Sequence, residues 1–243
     1  MLFDKTGMYL VVGGLTGLGW ECVLYLASKG AGCVAILSRR NPTDDKKADI
    51  EQISKDYGCS VTSVQADVQD ISALKSALSE LKTSFPMFPL KGVFFWSAVL
   101  EDGLLPGMTR EKFHTASSPK VAGSWNLHLL TEYLPLHYFV LFSFVTPVFG
   151  NAGQSNYSAG NGFMDGLAHV RNKNDVDVVP LNIMAGVDLS VNVNILTRNQ
   201  KDFKLRKFRE AIDIKRIQPA INRDQGYYIP PAYHDLISSP KQH

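Results

Sequence analysis

The sequence predicts an α/β fold, a parallel sheet covered by helices on both faces. Three observations predict it: short apolar runs bounded by turn residues, helical periodicity in the stretches between them, and a glycine-rich turn after the first apolar run. A chain of 243 residues, 45% of them hydrophobic, suits one domain of this kind with a sizeable core.

Met8–Val12 reads as the first strand and Leu18–Ser28 as the helix after it, closed by Gly30. Cys33–Leu37 forms the second strand and runs into Ser38-Arg39-Arg40, before Asn41-Pro42 breaks the chain. Lys46–Tyr57 is a charged, solvent-facing helix stopped by Gly58. Val61–Gln65 is the third strand, and Ile71, Leu74, Leu78 and Leu81 recur at helical spacing behind it. Val93–Val99 reads as the fourth strand. Thr109 is placed to cap the next helix with Glu111 in its first turn, and Val121–Leu130 continues that helix beyond Pro119. Tyr138–Phe144, Ala152–Arg171 and Val176–Ile183 complete the alternation as strand, long helix and strand.

Beyond about residue 190 the pattern fades. Residues 1–190 are therefore expected to form the core. Residues 191–243 are expected to be a basic, divergent segment, partly disordered, with a basic helix over Phe203–Lys215. That segment carries ten Lys/Arg against five Asp/Glu, whereas the whole chain has a net charge of only +2. Nothing in this balance suggests a nucleic-acid partner. Cys22, Cys33 and Cys59 have neither metal-ligand spacing nor an even count, which fits buried thiols in a reducing compartment. No apolar run reaches the ~18 residues of a membrane span, and no secretory signal is visible, so a cytoplasmic protein is expected.

The segment Val12-Gly13-Gly14-Leu15-Thr16-Gly17-Leu18-Gly19 follows a strand and opens a helix. Glycines there permit a tight turn and let a pyrophosphate approach backbone amides at the positive end of a helix. Alone, the pattern could be an ordinary turn. It gains weight from the second strand's end, where an NAD-binding protein usually places an acidic residue for the ribose hydroxyls. Here stand Ser38 and Arg39, and the Arg39 fork matches a 2′-phosphate. The reading is a Rossmann-type doubly wound sheet binding NADP(H), with Asp67 and Val68 beside the adenine, although two arginines could also merely solvate a strand end.

Three further segments carry a resemblance. They are Gly92-Val93-Phe94 leading to Val99-Leu100-Glu101-Asp102-Gly103-Leu104-Leu105, then Pro119-Lys120-Val121-Ala122-Gly123-Ser124-Trp125-Asn126-Leu127-His128, then Gly150-Asn151-Ala152-Gly153-Gln154-Ser155-Asn156-Tyr157-Ser158-Ala159-Gly160-Asn161. With the glycine turn upstream, they resemble the ketoreductase domains of animal fatty acid synthases and iterative polyketide synthases, within the short-chain dehydrogenase/reductase superfamily. The resemblance spans roughly residues 8–190. It implies NADPH-dependent reduction of a β-ketoacyl thioester tethered to the phosphopantetheine arm of an acyl carrier protein, among other synthase domains. It further implies that Tyr157 is the proton donor and Lys120 the cation that binds the nicotinamide ribose and favours tyrosinate, with Asn161 completing the site one helical turn on. The proton donor is a phenol of ordinary pKa about 10, so a neighbouring positive charge is needed. Asp102 matches an aspartate that accompanies one alcohol stereochemistry, while the tryptophan of the opposite outcome is replaced near Phe149.

The sequence also departs from that pattern. The family's serine should be the second of two at the end of the fifth strand, but the segment reads Leu141-Phe142-Ser143-Phe144-Val145. Phe144 takes the catalytic place, and strand alternation should turn Ser143 away. Losing the carbonyl donor costs about 2–4 kcal/mol of transition-state stabilisation. Hence the alternative reading is a degenerate, NADP-binding scaffold domain. The bulk of Phe95-Trp96-Ser97-Ala98 is expected beside the nicotinamide. The chain begins almost at the first cofactor strand, where the family carries a preceding subdomain. A fragment, a divergent product, or a chain needing a partner surface is expected, with a homodimer as one way to cover apolar surface.

Overall fold

The computed structural model of the chain describes residues 3–144, 146–171 and 178–183, with only the backbone of Phe149 and of the last six. The expectations for residues 191–243, including the basic helix, lie outside the described residues. The chain divides into two units, Met1–Leu181 and Asn182–His243. The site and every element of the fold but the last two residues of its final strand belong to the first.

Five of the strands are β1 (Met8–Val12), β2 (Cys33–Ser38), β3 (Ser60–Gln65), β4 (Leu90–Phe95) and β5 (Tyr138–Phe144), and β6 is Val178–Ile183. They form one sheet in the order β3-β2-β1-β4-β5-β6, and the pairings β1–β2, β2–β3, β1–β4 and β4–β5 are all parallel. This is the doubly wound arrangement, with the chain reversing direction of travel between β1 and β4. Ligands of such sheets bind in the crevice at the carboxyl ends of the strands flanking that reversal.

The helices are α1 (Gly17–Ser28), α2 (Asp44–Tyr57), α3 (Ile71–Ser84), α4 (Arg110–Thr131), the short α5 (Thr146–Phe149) and α6 (Ser155–Arg171). Alternation along β1 explains the two layers. Met8, Leu10 and Val12 enter a core completed by Leu74 and Leu81 of α3, Leu127 of α4, and Met164 and Leu167 of α6. Tyr9 faces the other way and meets Phe94 and Tyr138 on neighbouring strands, with Phe3 packed edge-on against all three. On that face, Val23 of α1 closes against Val11 and Ile36 around Gly14. Side-chain caps set three helix starts. Thr43 accepts from Lys46 N, Asp70 from Ser72 N and Ala73 N, and Thr109 from Lys112 N as expected.

Two expected boundaries are corrected. The fourth strand is Leu90–Phe95, not Val93–Val99. Its pairing with β1 begins at Met8↔Leu90, and the apolar residues Trp96, Ala98 and Val99 line a cleft instead of extending the ladder. The long helix starts at Ser155 rather than Ala152, because Gly150 and Gly153 adopt φ of 73° and 81° and turn the chain first. The charged helix α2 is not wholly solvent-facing, since Ile50 and Ile53 are buried. All three cysteines are buried and free. No helix among the described residues is long and apolar enough to cross a membrane.

Candidate active site

The glycine turn is built as a cradle. Gly13 has φ 79°, donates to the Leu37 carbonyl at 2.8 Å, and a Cβ there would lie 2.3 Å from the Trp96 carbonyl oxygen. A Cβ on Gly19 would lie 2.2 Å from the Gly13 oxygen. Gly14 lets the turn seat on Val11, Val23 and Ile36. Thr16 precedes α1 without a side-chain cap, and no acidic residue occupies the first turn of Gly17, Leu18 and Gly19. The amides of that turn are therefore left for an incoming anion, and the helix dipole favours one.

Above the turn lies a cleft of about 400 Å³ at the carboxyl ends of β1 to β4. Of the expected cofactor residues, Gly13, Thr16, Ser38, Arg39, Asp67 and Val68 line it. Gly14, Gly17, Leu18, Gly19, Lys120 and Tyr157, also expected at the cofactor, are not among its lining residues. Gln65 Nε2 donates to the Arg39 carbonyl at 2.9 Å, and Asp67 Oδ1 accepts from Gln69 N at 2.9 Å. Lining residues outside the expected cofactor set include Arg40, Asn41, Thr43 and Lys46 at the Arg39 end, Gln69 after β3, and Pro119 beside Lys120. Of the bulk expected near the nicotinamide, Trp96 lines the cleft, edge-on to Phe142 at 5.5 Å. Phe95 is instead fully buried in the core. The cradle, the uncapped helix start and the basic end together fit a phosphorylated dinucleotide.

Lys120 and Tyr157 reach each other from different helices. The Lys120 ammonium lies 4.9 Å from the centre of the Tyr157 ring. Lys120 is 1% exposed and Tyr157 7% exposed. Burial pushes the Lys120 ammonium down to about 7, and the buried Asp165 carboxylate opposes that shift. The helices approach closely because residue 160 is a glycine, whose added Cβ would lie 3.1 Å from Lys120 Cδ and 3.3 Å from Ser117 Cα. Asn161 is fully buried, its Nδ2 donating to the Tyr157 carbonyl at 3.0 Å. Its Oδ1 has no hydrogen-bond partner among the described residues.

Phe144 stands against Tyr157, ring centres 5.9 Å apart and 63° between planes. Ser143 is buried, and its hydroxyl donates to the Asn161 carbonyl at 3.4 Å. The side chain of Phe149 lies outside the described residues. Asp102 accepts from Gln154 Nε2 at 3.1 Å, and the Gly103 amide donates to the Gly153 carbonyl at 2.8 Å, which ties its loop to the turn before α6.

Several supporting residues were given no role by the sequence. Asn156, fully buried, accepts from Tyr157 N at 2.8 Å and donates to the Glu101 and Lys112 carbonyls at 2.7 and 3.1 Å. Asn126 donates to the carbonyls of Val68 and Gln69, fixing the loop after β3 to α4. Arg171, 2% exposed, donates to the Thr131 carbonyl at 2.8 Å and lies 4.0 Å from the Phe139 ring centre.

A doubly wound sheet with a glycine cradle at its crossover and a buried lysine–tyrosine pair between α4 and α6 defines a nucleotide-binding fold of the short-chain dehydrogenase/reductase type. The family model for the KR domain, the ketoreductase, matches residues 7–186, and the chain belongs to that family. It is 32% identical over 241 residues to the highly reducing polyketide synthase ZEA2 of Gibberella zeae, covering 98% of this chain and 9% of that protein. It is 37% identical over 183 residues to the lovastatin diketide synthase lovF of Aspergillus terreus, covering 75% of this chain and 7% of that protein. Among solved structures, A-type ketoreductases from a modular polyketide synthase superpose with a TM-score of 0.66 at 31% identity, covering 72% of this chain and 37% of theirs. An N-terminal ketoreductase from the macrolactin assembly line gives 0.66 at 30%, covering 74% and 37%. The chain thus spans less than a tenth of the length of these two curated relatives.

Proposed function

We propose that this chain reduces β-ketoacyl thioesters to β-hydroxyacyl thioesters with NADPH, at a rate limited by Phe144. The observation that carries this reading is the buried Lys120–Tyr157 pair beside Asn161, next to a cleft with a glycine cradle at one end and Arg39 at the other. The amides of Gly13–Gly19 would hold the pyrophosphate and Arg39 the 2′-phosphate, with Asp67 and Val68 on the adenine and Lys120 and Tyr157 on the nicotinamide ribose. When bound, NADPH supplies the hydride for the carbonyl carbon.

The chain's own residues handle the proton. The Tyr157 hydroxyl donates to the ketone oxygen as negative charge develops there, and the Lys120 ammonium beside the ring stabilises the resulting phenolate. Asn161 Oδ1, buried and free to accept, orients the group that returns a proton to the site. A serine hydroxyl in place of Phe144 would hydrogen-bond the substrate carbonyl, whereas the Phe144 ring offers no donor. The substrate is a thioester on the phosphopantetheine arm of an acyl carrier protein, and the working context is a larger synthase in the cytoplasm. In this reading residues 1–190 are the reductase core, and 191–243 take the place in the sequence of a substrate lid.

The test is NADPH oxidation with a β-ketobutyryl thioester. Wild type should turn over slowly, Phe144→Ser about a hundredfold faster, and Tyr157→Phe in either background not at all. A second reading, a cofactor-binding scaffold, is favoured by Phe144 itself. It prevails if wild type binds NADPH while both it and Phe144→Ser leave the thioester untouched.

A further inference from the structure

We propose that Lys46 is a third cation of the corner that receives the 2′-phosphate, held ready by Trp20 and Asp49 and sharpening the preference for NADPH over NADH. The proposal rests on the NADPH reading above.

The corner is basic on one side only when viewed from β2, which brings Arg39 and Arg40 to the cleft. The glycine turn brings no charge, since Leu15 and Thr16 line the cleft there. The third wall is the start of α2. Lys46 lines the cleft from the first turn of α2, just after the Thr43 cap.

The Lys46 side chain is not simply solvated. Its ammonium lies 3.8 Å from the centre of the Trp20 ring and 2.7 Å from Asp49 Oδ2, and the side chain is 24% exposed. Its neighbour Lys47 is 58% exposed and pairs with Asp44 away from any ring. Trp20 sits in α1 directly after the glycine turn, so stacking on it stations the Lys46 charge beside the anion-binding end of that helix. Asp49 is 53% exposed, and a pair with so exposed a carboxylate is weak. A phosphomonoester carrying nearly two charges out-competes it for the ammonium. The uncharged 2′-hydroxyl of NADH has no such pull. Lys46 therefore discriminates between the two cofactors rather than adding to the affinity of both.

The experiment titrates NADPH and NADH separately into the full chain, following nicotinamide fluorescence, for wild type, Lys46→Met, Lys46→Arg and Asp49→Asn. Lys46→Met should weaken NADPH about tenfold while leaving NADH within about twofold, Lys46→Arg should recover most of the loss, and Asp49→Asn should tighten NADPH about twofold. Unchanged NADH binding doubles as proof that the variants fold. Equal weakening of both cofactors by Lys46→Met overturns the proposal in favour of packing against Trp20. A wild-type preference for NADPH that survives Lys46→Met overturns the role of Lys46 alone. No wild-type preference at all overturns the NADPH reading, and this proposal with it.

Discussion

The Lys120 ammonium lies 4.9 Å from the centre of the Tyr157 ring although the two residues belong to different helices, α4 and α6. Helix spacing cannot hold such a pair; only the packing of one helix on the other can. Gly160 packs on Lys120, and a Cβ there would lie 3.1 Å from Lys120 Cδ. Gly160→Val should push α4 and α6 apart and cost about 2 kcal/mol of stability. Urea unfolding would measure it, and a midpoint unchanged from wild type would show that the interface has slack.

Asp165 should govern the pH dependence. Burial lowers the Lys120 ammonium to about 7, so it keeps its proton below about pH 7 and loses it above, and the proposed mechanism requires the cation. For the free enzyme kcat/KM should therefore be level below that point and decline above it. Asp165→Asn removes the charge that retains the proton, so the decline should begin at lower pH. A decline at unchanged or higher pH would refute the assignment. The same shift has a stability consequence. Between about pH 7 and the ordinary lysine value of 10.5 the unfolded chain binds the proton and the folded chain does not, so this group favours folding increasingly as pH rises through that window.

Asn156 should behave as a structural clamp. Asn156→Ala abandons the Glu101 and Lys112 carbonyls and the Tyr157 amide, at a cost of about 2 kcal/mol. Asn156→Asp should be worse, because it places a carboxylate oxygen against two carbonyl oxygens. Thermal unfolding of the two variants ranks them, and an Asp variant as stable as wild type would remove the clamp from the account.

The glycines of the turn should differ sharply. Gly13→Ala meets the Trp96 carbonyl at 2.3 Å with φ 79°, so backbone must move, and both cofactor affinity and about 3 kcal/mol of stability should be lost. Gly17 also has positive φ, 54°, but nothing lies within 4 Å of its added Cβ. Gly17→Ala should cost only the left-handed strain, about 1 kcal/mol. Chemical denaturation and a cofactor titration on each variant distinguish them.

The sheet was legible because β1, β2 and β5 are buried along nearly their whole length and so read as continuous apolar runs, and the cradle because glycine has few other reasons to recur there. The fourth strand was misplaced by the same logic. Trp96, Ala98 and Val99 are apolar because they wall a cleft, while charged Lys91 hides the true start at Leu90. At the site, Tyr157, Lys120, Asn161 and Phe144 were found by motif position, and they do come together. Asn156, Asn126 and Arg171 were not found. Their partners are main-chain carbonyls 40 to 58 residues away, and a carbonyl leaves no trace in a sequence. Lys46 went unnoticed for a related reason. It belongs to a charged helix, and only the fold shows that its first turn faces the cleft.

The split between the two helices also divides the molecule's vulnerabilities. The cleft is lined from the ends of β1 to β4 and the turn before α1, with Pro119 of α4 at one side, whereas the Lys120–Tyr157 pair depends on how α4 lies against α6. A perturbation that loosens the second contact need not disturb the first. On the proposed mechanism, such a protein can lose its proton transfer and still grip the phosphate end of its cofactor, a failure that a single helix carrying both residues would not permit.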